Sequence, residues 1–136
     1  MTFAVYRQLK PSDKEAGGIL LGRRRGRHFE ITAATTPFPT DSRTRTSFLR
    51  EPNGHQEEAT EHWYSSGHEV GYLGEWHTHP ERAPTPSHTD VSQWHQSSQG
   101  MPGGLSFLAV IVGIDSYHVA VWRSGIHRIT LESVHA

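Results

Sequence analysis

Residues 105–112, Leu-Ser-Phe-Leu-Ala-Val-Ile-Val, are apolar at every position but one, and no other stretch restricts the fold as much. A half-wet strand alternates apolar and polar side chains, whereas a continuous apolar run is expected of a central strand covered on both faces. The rest of the chain must therefore provide neighbouring strands and a cover for each face of their sheet. Its 136 residues suit one domain, spanning 1–136, long enough to bury a core without disulfide staples.

The neighbours can be read on either side of that run. Residues 3–9 alternate loosely and predict an edge strand. A short helix or turn is expected at 12–15, followed by a buried strand at 17–22 closed by Gly22. Residues 29–33 alternate as the next strand, with the arginine run at 23–27 as a hairpin-like connection. Residues 35–46 are rich in Thr, Pro and Ser and predict a loop, and 46–50 a further short strand. Residues 55–66 lack Gly and Pro and predict a helix ending at Gly67, in the position of a C′ glycine. Residues 70–78 predict a strand on which Leu73, Glu75, His77 and His79 share one face. Pro80 ends its hydrogen bonding, Pro84 and Pro86 keep the connection extended, and a helix runs from Ser87 to about Gln99. Strands at 117–122 and 126–131, joined by a Ser124-Gly125 turn, complete a mixed α/β pattern with two or three helices.

Composition narrows the function. The chain has no cysteine, which excludes disulfides, a zinc ribbon, an iron–sulfur cluster and a cysteine nucleophile. Net charge is −1, so no global field favours nucleic acid or a membrane. The arginine run has no aromatic residues between its members to stack on bases and reads as a solvated hairpin tip, the alternative being a contact with an acidic partner. The N-terminal residues lack the apolar run of a signal peptide, and no window approaches a membrane span, so a cytoplasmic protein is expected.

The chemistry concentrates in residues 77–90, which contain His77-Thr78-His79-Pro80 and then Ser87-His88-Thr89-Asp90. Two histidines at i and i+2 of an extended segment point the same way and can reach one metal ion. With eleven histidines in the chain, such a pair also arises by chance. Asp90 would sit in the first turn of the following helix, where a carboxylate can meet ligands at a strand end. Ser87-x-x-Asp90 equally fits a capping box, and both readings can hold at once.

Taken together, Glu75-Trp76-His77-Thr78-His79-Pro80 and Ser87-x-x-Asp90 resemble the JAMM motif of the JAB/MPN zinc metalloproteases, H-x-H-P, a spacer, then S-x-x-D. Glu15-Ala-Gly-Gly-Ile-Leu-Leu-Gly resembles the family's upstream glutamate before a glycine-containing strand. The resemblance runs from Glu15 to the C-terminal strands and implies the JAB/MPN, cytidine-deaminase-like fold, a curved mixed sheet flanked by helices. It further implies that His77, His79 and Asp90 hold Zn2+ with water in the fourth position. Glu15 would be the general base and Ser87 the hydrogen-bond donor to the tetrahedral oxyanion. Glu75 is the rival for the base, with a contact to a ligand histidine or a structural role the favoured alternative. Trp94, four residues after Asp90, is a candidate wall of the site.

The implied activity is hydrolysis of a peptide or isopeptide bond after the C-terminal tail of a ubiquitin-like protein. The flavour of the Glu15 and Tyr72–Pro80 segments resembles the deconjugating proteases of bacterial CBASS anti-phage operons. There the tail belongs to a nucleotidyltransferase joined to a lysine by an E1/E2-like partner. Alternatives are a protease for a sulfur-carrier or bacterial ubiquitin-like tail, an inactive MPN scaffold, and a nucleic-acid module built on the arginine run. A tail could add to a strand edge near the site, with residues 35–50 and 51–55 as walls.

Overall fold

The expected central strand, β6 (Phe107–Val112), lies inside a six-stranded sheet and is buried at all its positions. The structure is a computed structural model and describes residues 2–133. His135 and the C-terminal end of the expected 1–136 domain lie outside the described residues. In chain order the strands are β1 (Gly17–Arg25), β2 (His28–Ala34), β3 (Ser42–Thr44), β4 (Ser47–Leu49), β5 (Gly71–Thr78), β6, β7 (Tyr117–Arg123) and β8 (Ile126–Ser133). The helices are α1 (His55–Ser65) and α2 (His88–Gln99). The main sheet runs β2-β1-β5-β6-β7-β8, and β3-β4 form a separate hairpin. Among the described residues only the β5–β6 pair is parallel, and α2 lies in the crossover such a pair needs.

The two faces of β6 divide the core. Phe107, Ala109 and Ile111 pack with Trp94 of α2, while Leu108, Val110 and Val112 pack with Leu20, Trp76 and Phe3. Helix α1 presents Ala59 to Ile19, Leu21 and Val70, and Tyr72 bridges this group to the one under α2. Both helices thus cover the same face. The opposite face is covered by the N-terminus, where a 3-10 helix at Thr2–Tyr6 replaces the edge strand expected at 3–9. Residues i and i+3 eclipse in a 3-10 helix, so the rings of Phe3 and Tyr6 both reach Trp76, at 4.9 and 5.8 Å. That shared aromatic contact favours the tighter helix over an extended edge.

Of the short helix or turn expected at 12–15 the structure has the turn, closed by Asp13 onto Lys10, before the chain runs straight into β1. Two further expectations change. The arginine run belongs to β1 up to Arg25, and Arg23 and Arg25 pair with Glu30 across the hairpin. The 35–46 loop contains β3, which is too short and too polar to show alternation but pairs with β4 from Ser42↔Leu49 to Thr44↔Ser47. Helix α1 does end as expected, with Gly67 at φ 69 just after its cap.

The one-face arrangement expected of Leu73, Glu75, His77 and His79 is interrupted. Register between β1 and β5 slips from Leu20↔Gly74 to Leu21↔Tyr72, leaving Leu73 as the extra residue of a β-bulge. Leu73 joins the Trp76 side of the core, and Tyr72 takes its place on the Glu75 side. Gly74 is required beside the bulge, because a Cβ there would lie 1.7 Å from the Leu108 carbonyl oxygen.

Candidate metal centre

The carboxyl end of β5 is tied to both neighbouring strands. Thr78 N–H donates to Ala16 O (2.9 Å), Ala16 N–H donates to Thr78 Oγ1 (3.0 Å), and His79 N–H donates to Val112 O (3.1 Å). Glu15, next to Ala16, is thereby carried to the same end of the sheet as His77 and His79. Its backbone is clasped by the β3–β4 hairpin, with Glu15 N–H donating to Thr44 O (2.7 Å) and Arg43 Nε to Glu15 O (2.8 Å).

Asp90 is delivered by helix capping. Ser87 is the N-cap of α2, its Oγ accepts Asp90 N–H (3.1 Å), and Asp90 Oδ2 accepts Ser87 N–H (2.8 Å). The reciprocal bonds hold the Asp90 carboxylate against the two imidazoles. His77 Nε2 lies 3.2 Å from Asp90 Oδ1, and His79 Nε2 lies 3.1 Å from Asp90 Oδ2. The two Nε2 atoms are themselves 3.1 Å apart. Capping and ligation are therefore compatible roles for the same pair.

These separations fit a metal. Tetrahedral zinc with bonds of about 2.0–2.1 Å places neighbouring donors about 3.3 Å apart, and a two-histidine, one-carboxylate set leaves a fourth position free. Glu15 also has a donor atom within 4.8 Å of those of His77 and His79. Asp90 approaches the two imidazoles through separate oxygens, Oδ1 to His77 and Oδ2 to His79, so the site offers two carboxylates, Glu15 and Asp90, around one histidine pair. Glu15, His77, His79, Ser87 and Asp90 all line one groove of about 650 Å³, bounded by residues 46–50 and by Gln93, Gln96 and Ser97 of α2.

The electrostatics follow from burial and proximity. Burial pushes the Glu15 carboxyl up to about 7, against the pull of His77 and His79. Burial would lower His79, but hydrogen bonds to Asp90 and Glu81 carry it up to about 9. Burial would raise Asp90, but hydrogen bonds from His77 and His79 and from the Ser87 amide hold it well below the usual carboxylate range. Three donors this close favour a shared positive charge, whether protons or a bound cation.

Glu75 lines the same groove, but its carboxylate is paired with Arg50 at 3.4 Å and accepts the Tyr72 hydroxyl at 3.4 Å, so of its expected roles the structural one matches its contacts. The carboxylate that does meet a candidate ligand is Glu81, with Oε1 2.9 Å from His79 Nδ1. Reading the sequence missed it, although an acid two residues after His79 was visible. Trp94 stands beside the site, its ring 6.4 Å from that of His77. Of the expected walls, residues 46–50 line the groove, whereas His55 is buried in a separate cluster.

Comparison with known proteins gives the family. The profile described as prokaryotic homologs of the JAB domain matches residues 4–125. Three relatives bear the name CD-NTase/cGAS isopeptidase. The one from Pseudomonas aeruginosa is 43% identical over 118 residues, covering 87% of this chain and 75% of its own. That from Escherichia coli is 43% identical over 94 residues (69% and 60%), and that from Vibrio cholerae 39% over 108 residues (79% and 67%). The chain thus spans less than the full length of each. A solution structure of a protein from Desulfitobacterium hafniense shares the fold, with a TM-score of 0.63 and 20% identity over 99% of this chain and 85% of that one. A match over most of the chain, at these identities and with this arrangement of strands and helices, places the protein in the prokaryotic JAB-domain family.

Proposed function

We propose that this chain is a zinc-dependent isopeptidase that cleaves the bond between the C-terminal tail of a CD-NTase/cGAS-like nucleotidyltransferase and a lysine amine. The observation that carries the reading is the convergence of His77, His79 and Asp90 donors to within 3.1–3.2 Å in a groove that also holds Glu15. The substrate class rests on the name of the relatives at 39–43% identity. An E1/E2-like partner would make the conjugate in the cytoplasm, and antiviral defence of the CBASS type is the setting in which the cleavage is useful.

His77 Nε2, His79 Nε2 and an Asp90 oxygen would hold the ion. Zinc so bound would supply Lewis acidity and draw the pKa of water toward ~7. Glu15, whose carboxylate lies within 4.8 Å of the His77 and His79 donors, is placed to take the proton of the attacking water. The water oxygen bonds to the tail's carbonyl carbon, the C–N bond breaks, and Glu15 returns the proton to the departing lysine amine. Ser87 Oγ uses a lone pair for the Asp90 amide and retains its O–H to donate to the oxyanion. An extended tail would lie along the groove wall formed by residues 46–50, pairing with the edge of β4.

The test is hydrolysis of a lysine-linked nucleotidyltransferase tail by the purified protein, with and without a chelator. Cleavage that a chelator abolishes and zinc restores is expected. Cleavage only of a sulfur-carrier or ubiquitin-like tail would move the substrate assignment, and no zinc-dependent cleavage of any tail would leave a scaffold.

A further inference from the structure

Glu81 belongs to no element of the reaction described above, yet its side chain reaches a candidate ligand. Its Oε1 lies 2.9 Å from His79 Nδ1 and accepts the Thr85 amide at 3.4 Å. Its own carbonyl accepts Ile114 N–H at 2.8 Å, which pins the loop after Pro80 to the turn that follows β6. His79 is in turn fixed by its backbone bond to Val112 and is 8% exposed. The imidazole is therefore held between two carboxylates, Glu81 at Nδ1 and Asp90 at Nε2.

To bind a metal ion the imidazole must be neutral, and in that form it carries one N–H for which the two carboxylates compete. With the hydrogen on Nε2, the ring donates to Asp90 and has no lone pair left on the side where His77 Nε2 stands 3.1 Å away. With the hydrogen on Nδ1, the ring donates to Glu81, and Nε2 presents a lone pair beside the donors of His77 and Asp90. We propose that Glu81 is a positioning residue that selects the Nδ1–H tautomer of His79 and so prepares Nε2 to bind a divalent cation. The inference rests on the metal-centre reading given above. A carboxylate behind a ligating histidine also makes it a stronger donor, and removing such a partner costs about 10–100-fold in metal affinity.

Glu81 also anchors its loop, and the experiment must separate that role from the effect on the ring. Arg82, the next residue, ties the same loop to the same turn through Asp115 at 2.9 Å without touching His79. Zinc affinity of the full chain is measured by competition with a chromophoric chelator for the parent, Glu81→Gln, Glu81→Ala and Arg82→Ala, with circular dichroism confirming the fold. Glu81→Ala is expected to bind zinc about 10–100-fold more weakly, with Glu81→Gln in between because its amide oxygen still accepts the Nδ1–H. Arg82→Ala should bind as the parent does. In the zinc-loaded parent an exchange-protected His79 Nδ1–H resonance is expected, and it should be lost in Glu81→Ala. Equal affinity in the parent and both Glu81 variants would overturn the inference, as would an equal loss in Arg82→Ala. If the parent itself fails to bind zinc, the metal-centre reading falls instead. Should Glu81→Ala not fold, Glu81→Gln decides the matter alone by its zinc affinity: weaker binding than the parent supports the inference and equal binding overturns it.

Discussion

Two clusters in this molecule are built from the same residue types and do opposite things. In one, His55 is buried with Thr35 Oγ1 2.5 Å from Nδ1 and Asp41 Oδ2 2.7 Å from Nε2. Thr35 Oγ1 also accepts Ile19 N–H, and Asp41 accepts the amides of Phe38 and Glu51. His55 is 2% exposed and the Asp41 side chain 0%. Burial alone would raise Asp41, but the two amides and His55 hold its carboxyl below its ordinary value. Every polar atom there has a fixed partner, so the cluster locks the 35–54 segment to the sheet. In the other, His77 and His79 turn Nε2 atoms toward each other and toward Asp90 at the wall of an open groove. Donor capacity directed at one point next to open space, and not the presence of a histidine–aspartate pair, distinguishes the proposed metal centre from a structural lock.

The sharpest way to break that contrast is to disable each cluster and read both activity and stability. Replacing His77 with Ala, or chelating the metal, should abolish cleavage; added zinc should restore only the chelated parent. Glu15→Gln should lower turnover by about 10²–10⁴-fold, the range for a general base, while zinc content stays that of the parent. If Glu15→Gln remains active and Glu75→Gln is dead, the base is misassigned. Ser87→Ala removes a cap and an oxyanion donor together. It should cost about 1 kcal/mol in urea unfolding and about 10²–10³-fold in turnover. Loss of stability with unchanged turnover would reduce Ser87 to a cap. His55→Ala should do the reverse, losing about 3–5 kcal/mol by stranding buried Asp41 while zinc affinity stays within twofold of the parent.

The smallest effect is in pH. His79, raised from 6.5 to about 9, gives the metal-free protein stability that is fully present below about 6.5 and lost as pH rises through 9. Glu15, raised from 4.5 to about 7, acts in the same direction between those values, because the folded state binds its proton more tightly. Asp90 works oppositely, its contribution being lost as pH falls below the unfolded carboxylate range. Metal-free protein should therefore lose melting temperature from pH 6 to 9. The stabilisation from added zinc should grow across that interval, as the ion displaces the His79 proton. Thermal melts with and without zinc would check both slopes, and parallel slopes would uncouple His79 from the metal.

Much of this was legible beforehand, and the failures have identifiable causes. The central strand, both helices and the strand leading to His77 follow from apolar runs and glycine or proline punctuation. The meeting of His77, His79 and Asp90 follows from i, i+2 alternation and a capping box. Alternation misled at Leu73 because a bulge inserts one residue and reverses the faces upstream of it. The N-terminal edge strand failed because the Phe3 and Tyr6 contacts with Trp76 are made across the sheet and leave no local trace.

By itself the sequence determined the periodicities, the stops and the order of chemical groups, because those depend on neighbours a few residues apart. It thereby supplied a strand end, a cap and a glutamate upstream. Only the tertiary structure decided which of the histidines among the described residues face a groove and which are sealed. It alone directed Glu75 to Arg50 and Glu81 to His79. Those choices depend on what lies across the sheet and on how loops close over it. An imidazole or a carboxylate has the same composition in either place, and its role is set by what its polar atoms face.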